Sequence, residues 1–321
     1  MRNSQRVRLA LVAALGLCAS SNPGWSSELI PADLTLKTPQ QDPPLRCQVI
    51  AADQREFARR SVKLKLAFKD DFESFDLSSH RWTPHHDGGY DWPVKRTYKQ
   101  AGEQQFYVDA GYKGTSREPL GLNPFRLKDG ILSIVADRTP PDKRPFLYDY
   151  EFTSGLLTTR HSFVQTYGYF EIRAIVPFGK ALWPAFWLLP QDKHKWPPEI
   201  DVFEGRGSMP GVFSMSTHWR EPDGQQKLST CNVTVEDASK AFHTYGLLWE
   251  PTRLTRYVDR KPVLEIAAPP GYDIPMYMIV NLAVGSTVMS GVGQAGADTI
   301  LPRSMEIDYV VAYTLEQIHA R

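Results

Sequence analysis

The sequence predicts an all-β sandwich, and three observations carry that prediction. From about Leu64 onward, short runs rich in β-branched and aromatic residues recur, at 132–136, 169–176, 186–189, 213–217, 244–249, 255–258, 276–282 and 305–313. Turn formers separate them: Lys128-Asp129-Gly130, Pro177-Phe178-Gly179-Lys180, Pro222-Asp223-Gly224 and Pro269-Pro270-Gly271. Few stretches longer than ten residues carry helical periodicity. Aromatic residues make up 12% of the chain, which suits a dense β core or a surface that stacks on flat ligands. No internal repeat and no second domain is visible.

The elements follow in order. Residues 1–27 read as a secretory signal peptide: Arg2, Arg6 and Arg8 precede an apolar stretch from Leu9 to Ala19, then small residues. That stretch is too short to span a bilayer, and no later segment is long and apolar enough. Bulky Leu17 before Cys18 argues against a lipid anchor. Residues 28–62 read as a proline-rich lead-in broken by Pro31, Pro39, Pro43 and Pro44, with a short helix expected near 54–60. Residues 63–316 form the expected main domain, and 317–321 a tail. A formal net charge of +1 speaks against an electrostatic nucleic-acid binder. The expected protein is exported to the periplasm or beyond, monomeric, and without nucleic-acid or membrane partners. Once the signal is removed, Cys47 and Cys231 remain, either as a disulfide in an oxidising compartment or as two buried thiols.

The run Glu199-Ile200-Asp201-Val202-Phe203-Glu204-Gly205 is the most informative stretch. Ile200, Val202 and Phe203 favour a strand, and alternation places Glu199 and Asp201 on one face with Glu204 on the other. A bulge between Asp201 and Glu204 adds one residue and returns Glu204 to the same side. Three acids on one face repel, so a folded protein keeps them where catalysis uses them. An exposed acidic edge would not need the apolar residues between them. Two carboxyl groups flanking a glycosidic bond are the usual machinery of glycoside cleavage. Spacing alone leaves open which glutamate attacks and which donates the proton.

With its intact Glu-x-Asp-x-x-Glu, the chain resembles glycoside hydrolase family 16, the laminarinases and lichenases, in its bulged branch. Further matches are Tyr167-Gly168-Tyr169-Phe170-Glu171-Ile172-Arg173, the Trp-rich stretch 182–190, His243-Thr244-Tyr245-Gly246 with Tyr257-Val258-Asp259, 276–285, and Met305-Glu306-Ile307-Asp308-Tyr309. The likeness runs from about 66 to 314. It implies a jelly roll with an open cleft, no organic cofactor, retention of anomeric configuration, and a polysaccharide substrate. It also implies Glu199 as nucleophile, Asp201 as its helper and Glu204 as acid/base. A narrower likeness, to a proteobacterial branch of endo-β-1,3-1,4-glycanases with some members acting on exopolysaccharides, rests on Leu122-Asn123-Pro124-Phe125 and on Pro197-Pro198. A transglycosylase or a non-catalytic glycan-binding sandwich would share the frame.

Substrate-binding candidates follow from the same frame. Trp183 and Trp187 share a strand face and line either cleft or core, with Trp187 leaning to the core; Trp196 neighbours the acids. Glu171 and Arg173 share a face that the resemblance assigns to the cleft, against the alternative of a surface salt bridge. His218 and Asn281 complete the set. Asp308 and the Gly130 carbonyl match the position where some family members bind a structural calcium, an ion that takes oxygen ligands. His85-His86 lacks a third ligand at helical spacing. Gly291-Val292-Gly293-Gln294-Ala295-Gly296 has the glycine spacing of a nucleotide loop but no helix signal after it, so it reads as a surface loop. Asn232-Val233-Thr234 is a glycosylation sequon. Ser286 to Gly291 stands where many family members carry Trp-Pro-Gly, which removes a stacking ring from that side of the cleft.

Overall fold

The computed structural model describes residues 29–39, 47–50, 59–86 and 94–316. The expected signal peptide, Cys18, the tail 317–321 and residues 54–58 of the expected short helix lie outside them.

Eighteen strands are formed among the described residues. In order they are β1 (Asp33–Pro39), β2 (Gln48–Val49), β3 (Arg59–Asp70), β4 (Gln105–Tyr107), β5 (Phe125–Lys128), β6 (Ile131–Arg138), β7 (Phe152–Ser154), β8 (Leu156–Thr158) and β9 (Gly168–Ile175). They continue with β10 (Leu182–Pro190), β11 (Glu199–Gly205), β12 (Val212–Arg220), β13 (Gln226–Thr234), β14 (His243–Glu250), β15 (Arg253–Val258), β16 (Lys261–Ala267), β17 (Met276–Val284) and β18 (Arg303–Leu315). They build a twelve-stranded and a six-stranded sheet, the smaller ordered β13-β12-β11-β10-β17-β8. The all-β expectation holds. Turn residues end the strands as expected: Asp129 and Gly130 both take positive φ between β5 and β6, the conformation a tight hairpin needs.

The main core lies between the sheets. Phe170, Ile172 and Ala174 of β9, Leu247 and Trp249 of β14, and Val310 and Ala312 of β18 meet Phe186, Leu188, Ile200, Val202, Phe203, Phe213 and Met278 of the smaller sheet. The smaller sheet therefore spends its inward positions on packing, and its outward positions remain available to form a cleft.

The lead-in differs from the expectation. Asp33–Pro39 alternates exposed and buried residues and pairs with β3, which begins at Arg59. Leu34, Leu36, Val62 and Leu64 cover Tyr169, Tyr257, Tyr309, Val311 and Tyr313 on the outer face of the larger sheet. The prolines do not break this strand: Pro31 precedes it and Pro39 ends it, positions that lose no ladder bond. Cys47, beside β2, is disulfide-bonded to Cys231 on β13, which ties this cover to the edge of the smaller sheet.

Candidate active site

The acid strand β11 runs in the middle of the smaller sheet. Its partners β10 and β12 both show a register shift: Phe186 pairs with Phe203 but Trp187 with Asp201, and Ile200 pairs with Thr217 but Glu204 with Ser214. One extra residue is accommodated across Val202, as the acid spacing requires. Ile200, Val202 and Phe203 all enter the core, while Glu199, Asp201 and Glu204 line one cleft of about 250 Å³.

Each carboxylate has its own partners. The Trp196 indole Nε1 donates to Glu199 Oε2 at 2.6 Å, and the Trp183 Nε1 donates to Glu204 Oε1 at 3.1 Å. Ser216 Oγ donates to Glu204 Oε2 at 3.3 Å. His218 Nε2 lies 3.4 Å from Asp201 Oδ2 and 3.9 Å from Glu199 Oε1. All three residues of β12 that face this way follow from the strand period, since Ser214, Ser216 and His218 alternate with core-facing Phe213, Met215 and Thr217.

The crowding separates the glutamates. Burial, then the Asp201 charge, pushes Glu199 up to about 7. Burial, then the charges of both Asp201 and Glu199, pushes Glu204 well above the usual carboxylate range. The His218 cation pulls both glutamates down, but Glu204 meets the charges of two neighbouring acids where Glu199 meets that of Asp201 alone. Burial lowers His218, but the hydrogen bond and charge of Asp201 and the charge of Glu199 outweigh it and hold the ring up at about 9. Glu199, Asp201 and His218 converge within 4.8 Å, close enough to hold a metal ion. When it carries its proton, the same ring pairs with both carboxylates, at 3.4 Å from Asp201 and 3.9 Å from Glu199.

The other wall of the cleft comes from β17 and from irregular chain before β4. Trp187 Nε1 donates to Asn281 Oδ1 at 2.8 Å, Asn281 Nδ2 to the Tyr107 hydroxyl at 3.0 Å, and that hydroxyl to Glu103 Oε1 at 3.3 Å. Glu103 is pushed up to about 6 by burial, against donors at Tyr98 N, Gln105 Nε2 and Tyr107 OH. Burial, then the neighbouring His85 charge, lowers His86 to about 4, so it faces the cleft neutral. Sequence reasoning missed Glu103 and His86 as cleft residues. The alternation Glu103-x-Gln105-x-Tyr107 was the available signal.

A profile described as "Glycosyl hydrolases family 16" matches residues 126–310. The chain belongs to glycosyl hydrolase family 16. It is 38% identical over 263 residues to the endo-1,3-1,4-beta-glycanase ExsH of Rhizobium meliloti (strain 1021), covering 80% of this chain and 53% of that protein. It is 37% identical over 273 residues to the endo-1,3-1,4-beta-glycanase EglC of the same organism, covering 83% and 55%. This chain spans about half the length of both relatives. The laminarinase from Rhodothermus marinus superposes with a TM-score of 0.61 at 27% identity, covering 79% of this chain and 98% of that one. The jelly-roll expectation is met by that likeness.

Within the family 16 frame, Trp183, Trp196, His218 and Asn281 fall in the cleft as expected, and Trp187 joins them although core was the leading expectation. Glu171 and Arg173 do not. They share a face of β9, but it is the outer face of the larger sheet. Glu171 is fully buried under the lead-in, accepting from Tyr169 OH at 2.6 Å, Tyr309 OH at 2.9 Å and Arg260 Nη2 at 2.8 Å. Arg173 pairs with Asp308 and stacks 4.6 Å from the Phe242 ring centre. Period-two alternation fixes which residues share a face, not which sheet face meets the substrate.

At the expected calcium pair, Asp308 is held by another partner. The Arg173 guanidinium supplies at Asp308 the positive charge that a calcium ion would, and no trio of metal-ligating side chains forms around Asp308 among the described residues. The glycine-rich 291–296 stretch is a loop with no helix after it; Ser208 N and Ala181 N donate to its backbone, and Val292 is buried. Ser286 to Gly291 folds onto Ala101 and Gly102, with Val288 left exposed where an aromatic ring was absent from the sequence.

Proposed function

We propose that this chain is an exported, retaining endo-β-glycanase that hydrolyses β-1,3 or β-1,4 linkages, or both, in a β-glucan or bacterial exopolysaccharide. The observation that carries the reading is the bulged strand that turns Glu199, Asp201 and Glu204 into one cleft walled by Trp183, Trp187 and Trp196. Glu199 attacks the anomeric carbon, and Glu204 protonates the departing glycosidic oxygen. The covalent glycosyl ester on Glu199 then breaks when Glu204, now a base, takes a proton from water. Asp201 and His218 hold Glu199 oriented between two charges of opposite sign. The indoles present flat apolar faces to sugar rings. Export is supported by the N-terminal charge and apolar pattern and by the Cys47–Cys231 disulfide.

The test is a panel of laminarin, lichenan, mixed-linkage glucan and acidic exopolysaccharide, read by product sizing, linkage analysis and proton NMR of the first-formed anomer. Oligosaccharides released with the β-anomer first are expected. An α-anomer first, or a normal rate for Glu199→Gln, overturns the mechanism. Products longer than the substrate would mark transglycosylation instead.

A further inference from the structure

Arg256 is the least expected residue in the sandwich. It lies on β15, between Leu254 and Val258, both packed into the core, and its side chain leaves the larger sheet to end beneath the acid strand. Its Nη2 donates to Ser216 O at 2.5 Å and to Thr217 Oγ1 at 2.6 Å. Thr217 is the register partner of Ile200, the residue between Glu199 and Asp201. The side chain is fully buried, and its Nε has no hydrogen-bond partner. Among the described residues no carboxylate forms an ion pair with it.

An unpaired cation inside an apolar layer is costly, and an apolar residue of that length would serve packing better. Its charge has an evident counterpart. Across β11, the charge of Asp201 in the cleft acts on it, and from the chain after β16 comes the Tyr272 hydroxyl, which lies 2.9 Å from Glu199 O and 2.5 Å from His218 O. Glu199, Glu204 and His218 stand just across the same two strands. Burial lowers Arg256 to about 10, with Tyr272 and Asp201 acting against that, so the guanidinium stays charged at neutral pH.

We propose that Arg256 is a positioning residue: held under the β11–β12 pair, its guanidinium is the through-core counter-charge to the three carboxylates and sets the pH window in which they work. This rests on the glycanase reading for its kinetic consequence, though not for its electrostatics. A cation beneath the cluster favours every ionised carboxylate above it and disfavours the protonated ring of His218.

The experiment compares the full chain with Arg256→Met, which keeps length without charge, and Arg256→Lys, which keeps charge. Two readouts are taken: the pH profile of kcat/KM on an accepted glycan, and the NMR titration of the His218 ring, which needs no substrate. In Arg256→Met both limbs of the profile and the His218 titration should move to higher pH by about one unit, the size expected of one charge across about 10 Å at moderate dielectric. Arg256→Lys should stay near the wild type. A folded Arg256→Met with unmoved limbs and unmoved His218, or an Arg256→Lys that shifts as far, overturns the proposal. Should Arg256→Met fail to fold, Arg256→Gln, which retains a donor for Ser216 O, faces the same two outcomes. If the wild type cleaves no glycan, the glycanase reading falls, and the His218 titration still decides on Arg256.

Discussion

Replacing Asp201 by Asn removes one negative charge from the cluster while keeping the side chain's shape. Asp201 pairs across from Trp187 and Glu204 from Ala185, two positions apart on β10. At the strand rise that places the two carboxylates about 6.6 Å apart. At an effective dielectric near 20 their repulsion is about 2.5 kcal/mol, or about 1.8 pH units. His218 offsets part of this: without Asp201 its ring falls from about 9 and carries less charge to lower the glutamates. The net shift expected is about one unit. The sign is fixed, because the Asp201 charge raises both Glu199 and Glu204. Losing it lowers both, so the acid limb, where Glu199 must ionise, and the basic limb, where Glu204 must stay protonated, both move to lower pH. The assay is kcat/KM on a soluble β-glucan across the pH range, with each limb fitted separately. Limbs that stay in place or move to higher pH would refute the electrostatic account of the site. Arg256→Met is expected to move the same limbs in the opposite direction.

Glu171→Gln should leave kcat/KM within about twofold yet lower Tm by about 5 °C or more, because a buried ion pair loses its carboxylate and strands Arg260; a large loss of activity with unchanged Tm would return Glu171 to the cleft. Converting Cys47 and Cys231 together to Ser should lower Tm by several degrees while sparing activity at 25 °C, since a bridge across 184 residues restrains the unfolded chain by up to about 5 kcal/mol. Scanning calorimetry, with peptide mapping of the oxidised wild type, checks both halves of that expectation, and an unchanged Tm would show that the lead-in is held by its apolar cover alone.

The acid strand was legible because its chemistry and its packing are written in the same seven residues. Val202 and Phe203 are consecutive apolar residues that both need the core, and the three acids need one face; only an inserted residue satisfies both, and β11 has it. The tryptophans of β10 were legible as a face but not as an environment, since a ring suits a sugar or a core equally well. Glu171 failed for a related reason. Its strand has apolar residues on one face and Tyr169, Glu171 and Arg173 on the other, a pattern that fits a polar cleft as readily as a face covered by another layer. The cover comes from residues 29–36 and 62–66, more than a hundred positions upstream, and no local pattern announces it.

Arg256 marks where single-sequence reasoning gives way to structure. In the run Leu254-Thr255-Arg256-Tyr257-Val258, alternation sets Arg256 on the same face as Leu254 and Val258. A reader who weighs residue type would turn that face to solvent, because buried arginines are rare. A reader who weighs periodicity would bury it. The larger sheet buries it, and the side chain reaches across the core to hydrogen-bond partners on β12, beneath the one place in the smaller sheet where acids crowd together. The two layers are thus joined by charge as well as by apolar contact: the acids concentrate negative potential on one side of two strands, and the guanidinium answers from the other. Such a pairing cannot be read along either strand, because it exists only once the sheets are stacked.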